Sequence, residues 1–419
     1  MENKIYLCID LKCFFASVEC VERHLDPFFT NLVVADPSRG NGAICLAISP
    51  KMKEQGIANR CRIFEIPKNV QYIIAKPRMK KYIEYSANIY SIYLKYVSAE
   101  DILVYSIDEC FLDISSYLKM YGIDCFSLTK KIIDDVYKST GICATAGIGT
   151  NMFLAKVALD ITAKHNKEHI GFLNQELFKK EIWHHRPITD IWNVGRGIAV
   201  RLAKYNCYDM YDVANLDEAI LYKEFGVNAE FLIDHSKGIE PCTIKDVHKY
   251  RSKNKSLSNG QILFEDYSYD DALLVLKEMV DINVLDLVDK QLVTDSIGLY
   301  IGYSKNEHKS VHASMKLDEY TNSEKLLMNY FIELYKRNVN PNYMIRSINI
   351  GFGNVVDESF KTFNLFTDEK AELKERKMQE VILDIKKKYG KNAILKGMDM
   401  QDKATTRIRN KLIGGHNGE

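Results

Sequence analysis

The chain has 419 residues, of which 46% are hydrophobic and 27% charged, and its formal net charge is +1. This length predicts two to four domains, and the apolar content excludes a disordered protein. No apolar run is long enough to cross a bilayer, and the N-terminus does not read as a secretion signal, so we predict a cytoplasmic protein that does not enter membranes. The 10 cysteines form no C-x-x-C pair and do not cluster with histidines, which is typical of reduced thiols rather than of a zinc site.

Strand and helix patterns alternate in the first part of the chain. We predict a first, central strand for "KIYLCIDLK", which ends near Asp10, and then a helix in "FFASVECVERHL". Two strands, "NLVVADPS" and "AICLAIS", flank the loop "RGNG". Apolar residues at intervals of three and four predict a helix over residues 77–97. "DILVYSI" and "CFLDIS" then predict a hairpin with Asp108 and Glu109 near its turn.

The following segments complete a recognisable order of elements. A helix around "SLTKKIIDDVYKS" precedes the strand "ICATAGIG" and the helix "NMFLAKVALDITAKH", which Thr150 or Asn151 caps. The order is typical of a ferredoxin-like, split βαβ unit with roughly 65 residues inserted after its first strand. Residues 182–240 predict a small helical domain, and "HKYRSKNKSLSNG" predicts a basic linker into a second α+β unit. An apolar segment, "FKTFNLFTD", and a charged helical tail end the chain.

Asp108 and Glu109 are adjacent carboxylates between two apolar runs. Their mutual repulsion grows with burial, so a positive partner is expected. In a split βαβ sheet the first strand neighbours the hairpin, which predicts that Asp10 lies beside this pair. Three carboxylates around one point suit Mg²⁺, and two such ions about 4 Å apart can hold the attacking and leaving oxygens of phosphoryl transfer. On the residues alone, a strand-end cap at Asp10 and a solvated acidic turn remain the alternative.

Three segments carry a resemblance to a known family: "YLCIDLKCFFASVE", "YSIDECFLDIS" and "GIGTNMFLAKVALDITAKH". In this order and spacing they resemble the Y-family DNA polymerases of the UmuC/DinB, lesion-bypass type, and are most similar to UmuC-like repair polymerases of Gram-positive bacteria, plasmids or phages. The resemblance implies an α+β multidomain fold shaped like a right hand. Its expected parts are a ferredoxin-like palm (1–12 and 77–168), small fingers (13–76), a helical thumb with a helix-hairpin-helix (169–241), an α+β little finger that starts with the basic linker (242–355), and a C-terminal tail (356–419).

The same resemblance implies the chemistry of the site. Asp10, Asp108 and Glu109 fall on the family's catalytic, metal-binding carboxylates, and the backbone carbonyl of Leu11 falls on a further ligand. Two Mg²⁺ ions are therefore the expected cofactors. The implied activity is template-directed addition of deoxynucleoside triphosphates to the 3′-OH of primer-template DNA, in damage tolerance of the SOS type.

Substrate-binding residues follow from the resemblance as well. Phe15 falls on the aromatic steric gate that leaves no room for a ribose 2′-OH, and Phe14 beside it is expected to belong to the same substrate-binding site; a plain core position is the alternative for Phe15. Lys53 falls where the family places a basic residue on the triphosphate. Lys164 falls near a second phosphate lysine, although its spacing from the preceding "FLAK" motif is one residue longer than in many relatives.

Two segments are expected to follow the DNA backbone. The turn "NVGRG" contains Gly195 and Gly197, and exposed amides at such a helix start bind phosphate well. On an extended strand, alternating cations face one side and can track a row of phosphates, with salt-sensitive binding. This pattern is formed by Lys249, Arg251, Lys253 and Lys255.

The segment "FKTFNLFTD" resembles the peptide with which bacterial repair polymerases bind the sliding clamp. Phe363, Leu365 and Phe366 would be its anchors, and Thr362 replaces the usual leading Gln. The tail beyond it is a candidate for contacts with a recombinase filament or accessory subunits. Nucleoid association is expected for such a protein. Two alternatives stay open: a non-catalytic factor that binds DNA and clamp, and a nucleotide cyclase-like enzyme, which would share the palm but have no use for the thumb turn.

Overall fold

The computed structural model describes residues 4–252, 255–304, 308–362 and 368–418. The chain divides into two compact units, the first ending at Tyr250 and the second running from Arg251 to Gly418. No helix within the described ranges combines the length and hydropathy needed to span a bilayer.

The first unit contains the predicted palm, fingers and thumb. Its helices and strands are, in chain order, β1 (Tyr6–Leu11), α1 (Phe14–Val21), β2 (Leu32–Val34), β3 (Ala47–Ile48), α2 (Pro50–Glu54), β4 (Ile73–Ala75), α3 (Met79–Tyr93), β5 (Ile102–Val104), β6 (Glu109–Asp113), α4 (Ser115–Tyr121), α5 (Cys125–Thr140), β7 (Ala144–Gly149), α6 (Met152–Val157), β8 (Ile170–Leu173), α7 (Gln175–Leu177), α8 (Arg196–Ala203), α9 (Met210–Asn215), α10 (Glu218–Phe225), α11 (Ala229–Ser236) and α12 (Ile244–Lys249).

The palm sheet has the strand order β5-β6-β1-β7-β8. β1 is central and antiparallel to both β6 and β7, which confirms the split βαβ prediction. β8 adds a fifth strand, parallel to β7. This sheet therefore continues to Leu173, beyond the predicted thumb boundary at residue 169. A buried strand of four residues is too short to show a clear period of two.

Helix α6 lies unusually close to the palm sheet because two facing positions are glycine. A Cβ atom added at Gly147 would lie 2.1 Å from the carbonyl oxygen of Ala155, and one added at Gly149 would lie 2.1 Å from the Ala155 amide nitrogen. Neither overlap can be relieved by a side-chain movement, since both partners are backbone atoms. This close approach brings the helix onto the sheet face that carries Cys8 and Asp10.

The fingers and thumb are small. β2 pairs with β3 and β4 to form the fingers sheet. In the thumb, α8 to α11 surround a core that includes Leu202, Val213 and Leu232, as the helical pattern predicts.

The second unit repeats the predicted order β-α-β-β-α-β and continues beyond it. Its elements are β9 (Leu257–Tyr267), α13 (Tyr269–Asp289), β10 (Leu292–Tyr303), β11 (Val311–Thr321), α14 (Glu324–Asn338), β12 (Ile345–Gly353), β13 (Val356–Asp357), α15 (Glu369–Tyr389), α16 (Thr406–Arg409), β14 (Leu412–Ile413) and β15 (His416–Asn417). The sheet order is β11-β10-β12-β9, with α13 and α14 contributing to the core beside it.

The C-terminal tail is an integral part of the second unit. Glu375 of α15 accepts hydrogen bonds from the amide nitrogens of Glu324 (2.5 Å) and Lys325 (3.3 Å). These amides lie at the start of α14 and have no partner within their own helix. A residue of the tail thus caps a helix of the little finger, and a carboxylate also suits the positive end of a helix dipole.

A second anchor joins the tail to α13. The buried carboxylate of Glu278 accepts hydrogen bonds from the amide nitrogens of Thr405 (2.7 Å) and Thr406 (3.1 Å). Burial raises the pKa of Glu278, and these hydrogen bonds oppose the rise. The predicted separate tail, residues 356–419, therefore folds onto the little finger over its described residues from 368 to 418.

Candidate active site

Asp10, Asp108 and Glu109 meet at one end of two adjacent palm strands. Asp10 pairs with Glu109 in the antiparallel register of β1 and β6. The Leu11 amide donates a hydrogen bond of 2.9 Å to the carbonyl oxygen of Asp108, which fixes the turn beside the end of β1. The Asp108 Oδ1 atom also accepts a 2.7 Å hydrogen bond from the Ser106 hydroxyl. The pairing of β1 with β6 thus brings together residues nearly one hundred positions apart in the chain.

The negative charges of these three carboxylates repel one another. Burial raises the pKa of Asp10 to about 7, and the neighbouring charges of Asp108 and Glu109 add to the rise. The ammonium groups of Lys164 and Lys156 oppose it. A carboxyl group with such a pKa is partly protonated at neutral pH, so a further cation at this point would favour its ionised form.

The donor set fits a hard divalent cation. In the described part of the chain, no group of three or more His, Cys, Asp or Glu side chains already surrounds one point at metal-binding geometry. Glu109 is instead held through Oε1, by Lys156 Nζ at 2.8 Å and Cys8 Sγ at 3.1 Å. Its Oε2 atom and the carboxylates of Asp10 and Asp108 offer the oxygen ligands that Mg²⁺ prefers.

The two predicted phosphate lysines differ in their surroundings. The charge of Lys53, on α2, acts on the Cys13 thiol, three residues beyond Asp10: burial raises the pKa of that thiol, and Lys53 opposes the rise. Lys164 is half exposed and forms a 2.8 Å ion pair with Asp160. The charge of Lys164 therefore acts on Asp10 itself, whereas that of Lys53 acts on Cys13.

Sequence reasoning missed Lys156, Asp160 and Cys8. A spacing of four residues separates Lys156 from Asp160, and Asp160 from Lys164, so an alternating row of charges on one helix face was available as a signal. The link from Lys156 to Glu109 joins residues 47 positions apart and depends on the close packing of α6 against the sheet.

Comparison with known proteins places this site in a family. The model of the impB/mucB/samB family matches residues 9–160, and the model of its C-terminal domain matches residues 254–365. UvrX of Bacillus subtilis, which carries the name of a UV-damage repair protein, is 30% identical over 99% of this chain and 98% of its own length. The chain belongs to the UmuC/DinB type of the Y-family DNA polymerases. DNA polymerase IV 2 of Bacillus subtilis is 28% identical over 99% of both chains.

A solved structure supports the fold of this Y-family chain. A Y-family DNA polymerase chimera of Dbh and Dpo4 superposes with a TM-score of 0.64 at 19% identity and covers 84% of this chain and 99% of its own. The right-hand α+β architecture expected from the sequence is confirmed.

The two aromatic rings after β1 have different environments in this Y-family member. Phe14 is 2% exposed and belongs to the palm core. Phe15 is half buried and stacks on Tyr82, with ring centroids 4.5 Å apart at 19°. Of the two rings, Phe15 is therefore the more accessible.

The thumb turn differs in detail from its prediction. Its left-handed residue is Asn193, with φ 67°, whereas Gly195 caps α8 and Gly197 lies inside it, both outside the left-handed region. The left-handed residue of the turn is thus neither glycine, and the polar side chain of Asn193 tolerates that conformation. A Cβ atom at Gly195 or Gly197 would meet nothing within 4 Å, so the start of α8 is open to a ligand.

The predicted row of cations is not one strand. Lys249 is the last residue of α12, whereas Arg251 and Lys255 precede β9 in irregular backbone. Thr243 and Asp246 form a capping box that starts α12 and explains the difference. Lys253 lies outside the described residues, as do the predicted clamp-binding anchors Phe363, Leu365 and Phe366.

Proposed function

We propose that this protein is a template-directed DNA polymerase of the lesion-bypass type, which extends a primer 3′-OH by phosphoryl transfer with two divalent cations. The observation that carries the proposal is the pairing of Asp10 with Glu109, beside Asp108, at the end of the central palm strands. The names of the relatives, a UV-damage repair protein and DNA polymerases IV, support the assignment to damage tolerance.

In the proposed reaction, Asp10, Asp108 and Glu109 hold two Mg²⁺ ions, and the Leu11 carbonyl is a further ligand. Divalent cations held there would supply activation of the 3′-OH and charge neutralisation at the pyrophosphate leaving group. Lys53 and Lys164 bind the triphosphate, so that the reacting phosphorus is fixed near the carboxylates. Positioning and charge neutralisation supply most of the acceleration in phosphoryl transfer.

Selection of the sugar is assigned to Phe15. Its ring is held from behind by Tyr82, so that a 2′-OH above it would have to displace a packed pair of rings. Phe14 supports this position from the core.

The DNA contacts and partners complete the proposal. The exposed start of α8, at Gly195 and Gly197, binds a backbone phosphate through its amides. Further cations for the backbone are Lys249, Arg251, Lys253 and Lys255. Phe363, Leu365 and Phe366 dock into the bacterial sliding clamp, in a cytoplasmic, nucleoid-associated, SOS-type response.

Extension of a labelled primer tests the activity. The intact protein should add nucleotides with Mg²⁺ and four deoxynucleoside triphosphates, and Asp108→Ala should lower the rate by about 10²- to 10³-fold. Asp135→Asn, which changes a carboxylate paired with Lys95 away from the site, is the matched control. Absence of extension with retained DNA binding would favour a non-catalytic factor, and equal extension by Asp108→Ala would reveal a contaminating polymerase.

A further inference from the structure

Lys156 places a buried positive charge directly on one of the proposed metal ligands. Its side chain is only 11% exposed, and its Nζ atom lies 2.8 Å from Glu109 Oε1 and 3.0 Å from Asp160 Oδ2. The thiol of Cys8 approaches the same Oε1 atom at 3.1 Å. One oxygen of Glu109 therefore already has two partners from the protein, and Oε2 is left for a further bond.

The backbone fixes this contact. Lys156 lies on α6, which approaches β7 as closely as it does because Gly147 and Gly149 have no Cβ. Cys8 is on the central strand, two residues before Asp10, and shares its sheet face. The ammonium group is thus held by a rigid helix packed on a rigid sheet, and it does not depend on a mobile surface loop.

A series of charged side chains continues from Lys156 along the helix toward the predicted phosphate site. After α6 the chain forms a π-helical turn over Ala158–Thr162. Asp160, inside that turn, accepts from Lys156 with Oδ2 and from Lys164 with Oδ1. A row of alternating charges therefore leads from Glu109 through Lys156 and Asp160 to Lys164.

We propose that Lys156 is a positioning residue, which holds Glu109 by Oε1 for single-oxygen binding through Oε2 and limits how tightly the carboxylate cluster binds divalent cations. This inference rests on the proposed metal-dependent function. It follows from the sign of the charge: the outer partners of a metal-ligating carboxylate are hydrogen-bond donors, and a positively charged donor draws negative charge from the group that it contacts. The ammonium of Lys156 therefore competes with a metal ion for the charge of Glu109.

Removal of the charge of Lys156 should have opposite effects on the affinity for divalent cations and on turnover. The cluster of three carboxylates becomes more negative, so divalent cations bind more tightly. At the same time Glu109 loses the contact that fixes its orientation, so turnover falls. Partial unfolding would weaken cation binding and turnover together, and therefore cannot produce this combination.

Direct binding of Mn²⁺ to the full chain, followed by electron paramagnetic resonance without DNA or nucleotide, gives a readout separate from activity. We expect Mn²⁺ to bind Lys156→Met about tenfold more tightly than the unmodified protein. Primer extension at saturating Mg²⁺ and nucleotide should be about 10- to 100-fold slower. Lys156→Arg keeps the charge and should restore cation affinity and part of the turnover. Lys95→Met, which removes an exposed lysine from its pair with Asp135, should change neither.

The possible results separate the role of Lys156 from the existence of the metal site. Unchanged Mn²⁺ affinity in Lys156→Met, with affinity lost in Asp108→Ala, overturns the role of Lys156 and leaves the metal site standing. Equal Mn²⁺ binding by the unmodified protein and Asp108→Ala overturns the metal site itself, and the inference with it. If Lys156→Met melts well below the unmodified protein, Lys156→Gln provides a second neutral variant, and weaker binding in both variants also rejects the proposal.

Discussion

The ring of Phe15 stacks on the ring of Tyr82, with their centroids 4.5 Å apart. Tyr82 is fully buried, and its hydroxyl donates a 2.8 Å hydrogen bond to Glu19. The proposed sugar gate thus rests on a ring that is itself held by a buried carboxylate.

Removal of the gate ring should admit ribonucleotides. With Phe15→Ala, the space under the sugar opens, and we expect discrimination against ribonucleoside triphosphates to fall by about tenfold or more. Single-nucleotide incorporation with matched deoxy- and ribonucleotides measures the ratio. Unchanged discrimination would remove Phe15 from this role.

The stacking of Tyr82 on Phe15 can be tested separately from the hydrogen bond that the Tyr82 hydroxyl donates to Glu19. Tyr82→Phe keeps the stacked ring and loses the hydroxyl, whereas Tyr82→Leu loses the ring. We expect weaker sugar discrimination in Tyr82→Leu alone, since the position of Phe15 depends on ring stacking. Equal loss in both variants would show that the bond to Glu19, rather than the stacked pair, holds the gate.

Stability should depend on pH through Glu19. Burial acts to raise the pKa of Glu19, but hydrogen bonds from Arg78, Arg23 and Tyr82 outweigh it, and the pKa is lowered. The stabilisation is therefore present above the unfolded pKa of about 4.3 and is lost as the pH falls through the folded value. Glu19→Gln should cost about 2 kcal/mol at pH 7.

Urea unfolding at pH 7 and at about pH 3 measures this difference for the unmodified protein and Glu19→Gln. We expect the difference in the free energy of unfolding between the two proteins to narrow at the lower pH, which lies below the unfolded pKa of Glu19, because the unfolded chain then takes up a proton that the folded hydrogen bonds oppose. An equal difference in the free energy of unfolding at both pH values would mean that the charge of Glu19 contributes nothing to stability.

The approach of α6 to β7 should tolerate no side chain at Gly147. Gly147→Ala places a methyl group on the Ala155 backbone, so we expect a loss of about 3 kcal/mol or more in the free energy of unfolding. Gly42→Ala, whose Cβ would meet nothing within 4 Å, is the matched control. Thermal unfolding followed by circular dichroism compares them, and equal melting temperatures would contradict the close packing.

The anchor between Glu278 and the tail should stabilise the little finger. Glu278→Ala leaves the buried amides of Thr405 and Thr406 without an acceptor, which costs about 2 kcal/mol. Glu333→Ala, which breaks an exposed ion pair with Arg337, should change stability by less than about 0.5 kcal/mol. Amide hydrogen exchange in residues 401–411 should rise in Glu278→Ala; unchanged protection there would show that the tail is held elsewhere.

The sequence was sufficient to predict those elements whose apolar residues follow a clear strand or helix period. The central strand ending near Asp10, the hairpin at Asp108 and Glu109, and the second β-α-β-β-α-β unit all have apolar patterns that long-range packing then preserves. Asn151, one of two predicted caps, accepts the expected bond from the Leu154 amide.

Other features depend on contacts that no local pattern reports. Alternating cations suggested a strand at Lys249, but a capping box at Thr243 and Asp246 starts a helix instead. The tail looked detached because its anchors, such as Thr405 on Glu278, join residues 127 positions apart. In the sequence, Lys156 could not be told from an ordinary helical lysine, because its partner Glu109 lies on β6, 47 positions earlier.

The π-helical turn over Ala158–Thr162 has a consequence for how this chain is aligned with its relatives. A π-turn closes its hydrogen bonds over five residues, one more than an α-turn. The additional residue between "FLAK" and Lys164 can therefore be accommodated as a local bulge, while the charge row on both sides keeps its spacing. An alignment gap placed inside that turn would keep the proposed phosphate-binding role on Lys164, whereas a gap placed later would assign it to the neighbouring His165.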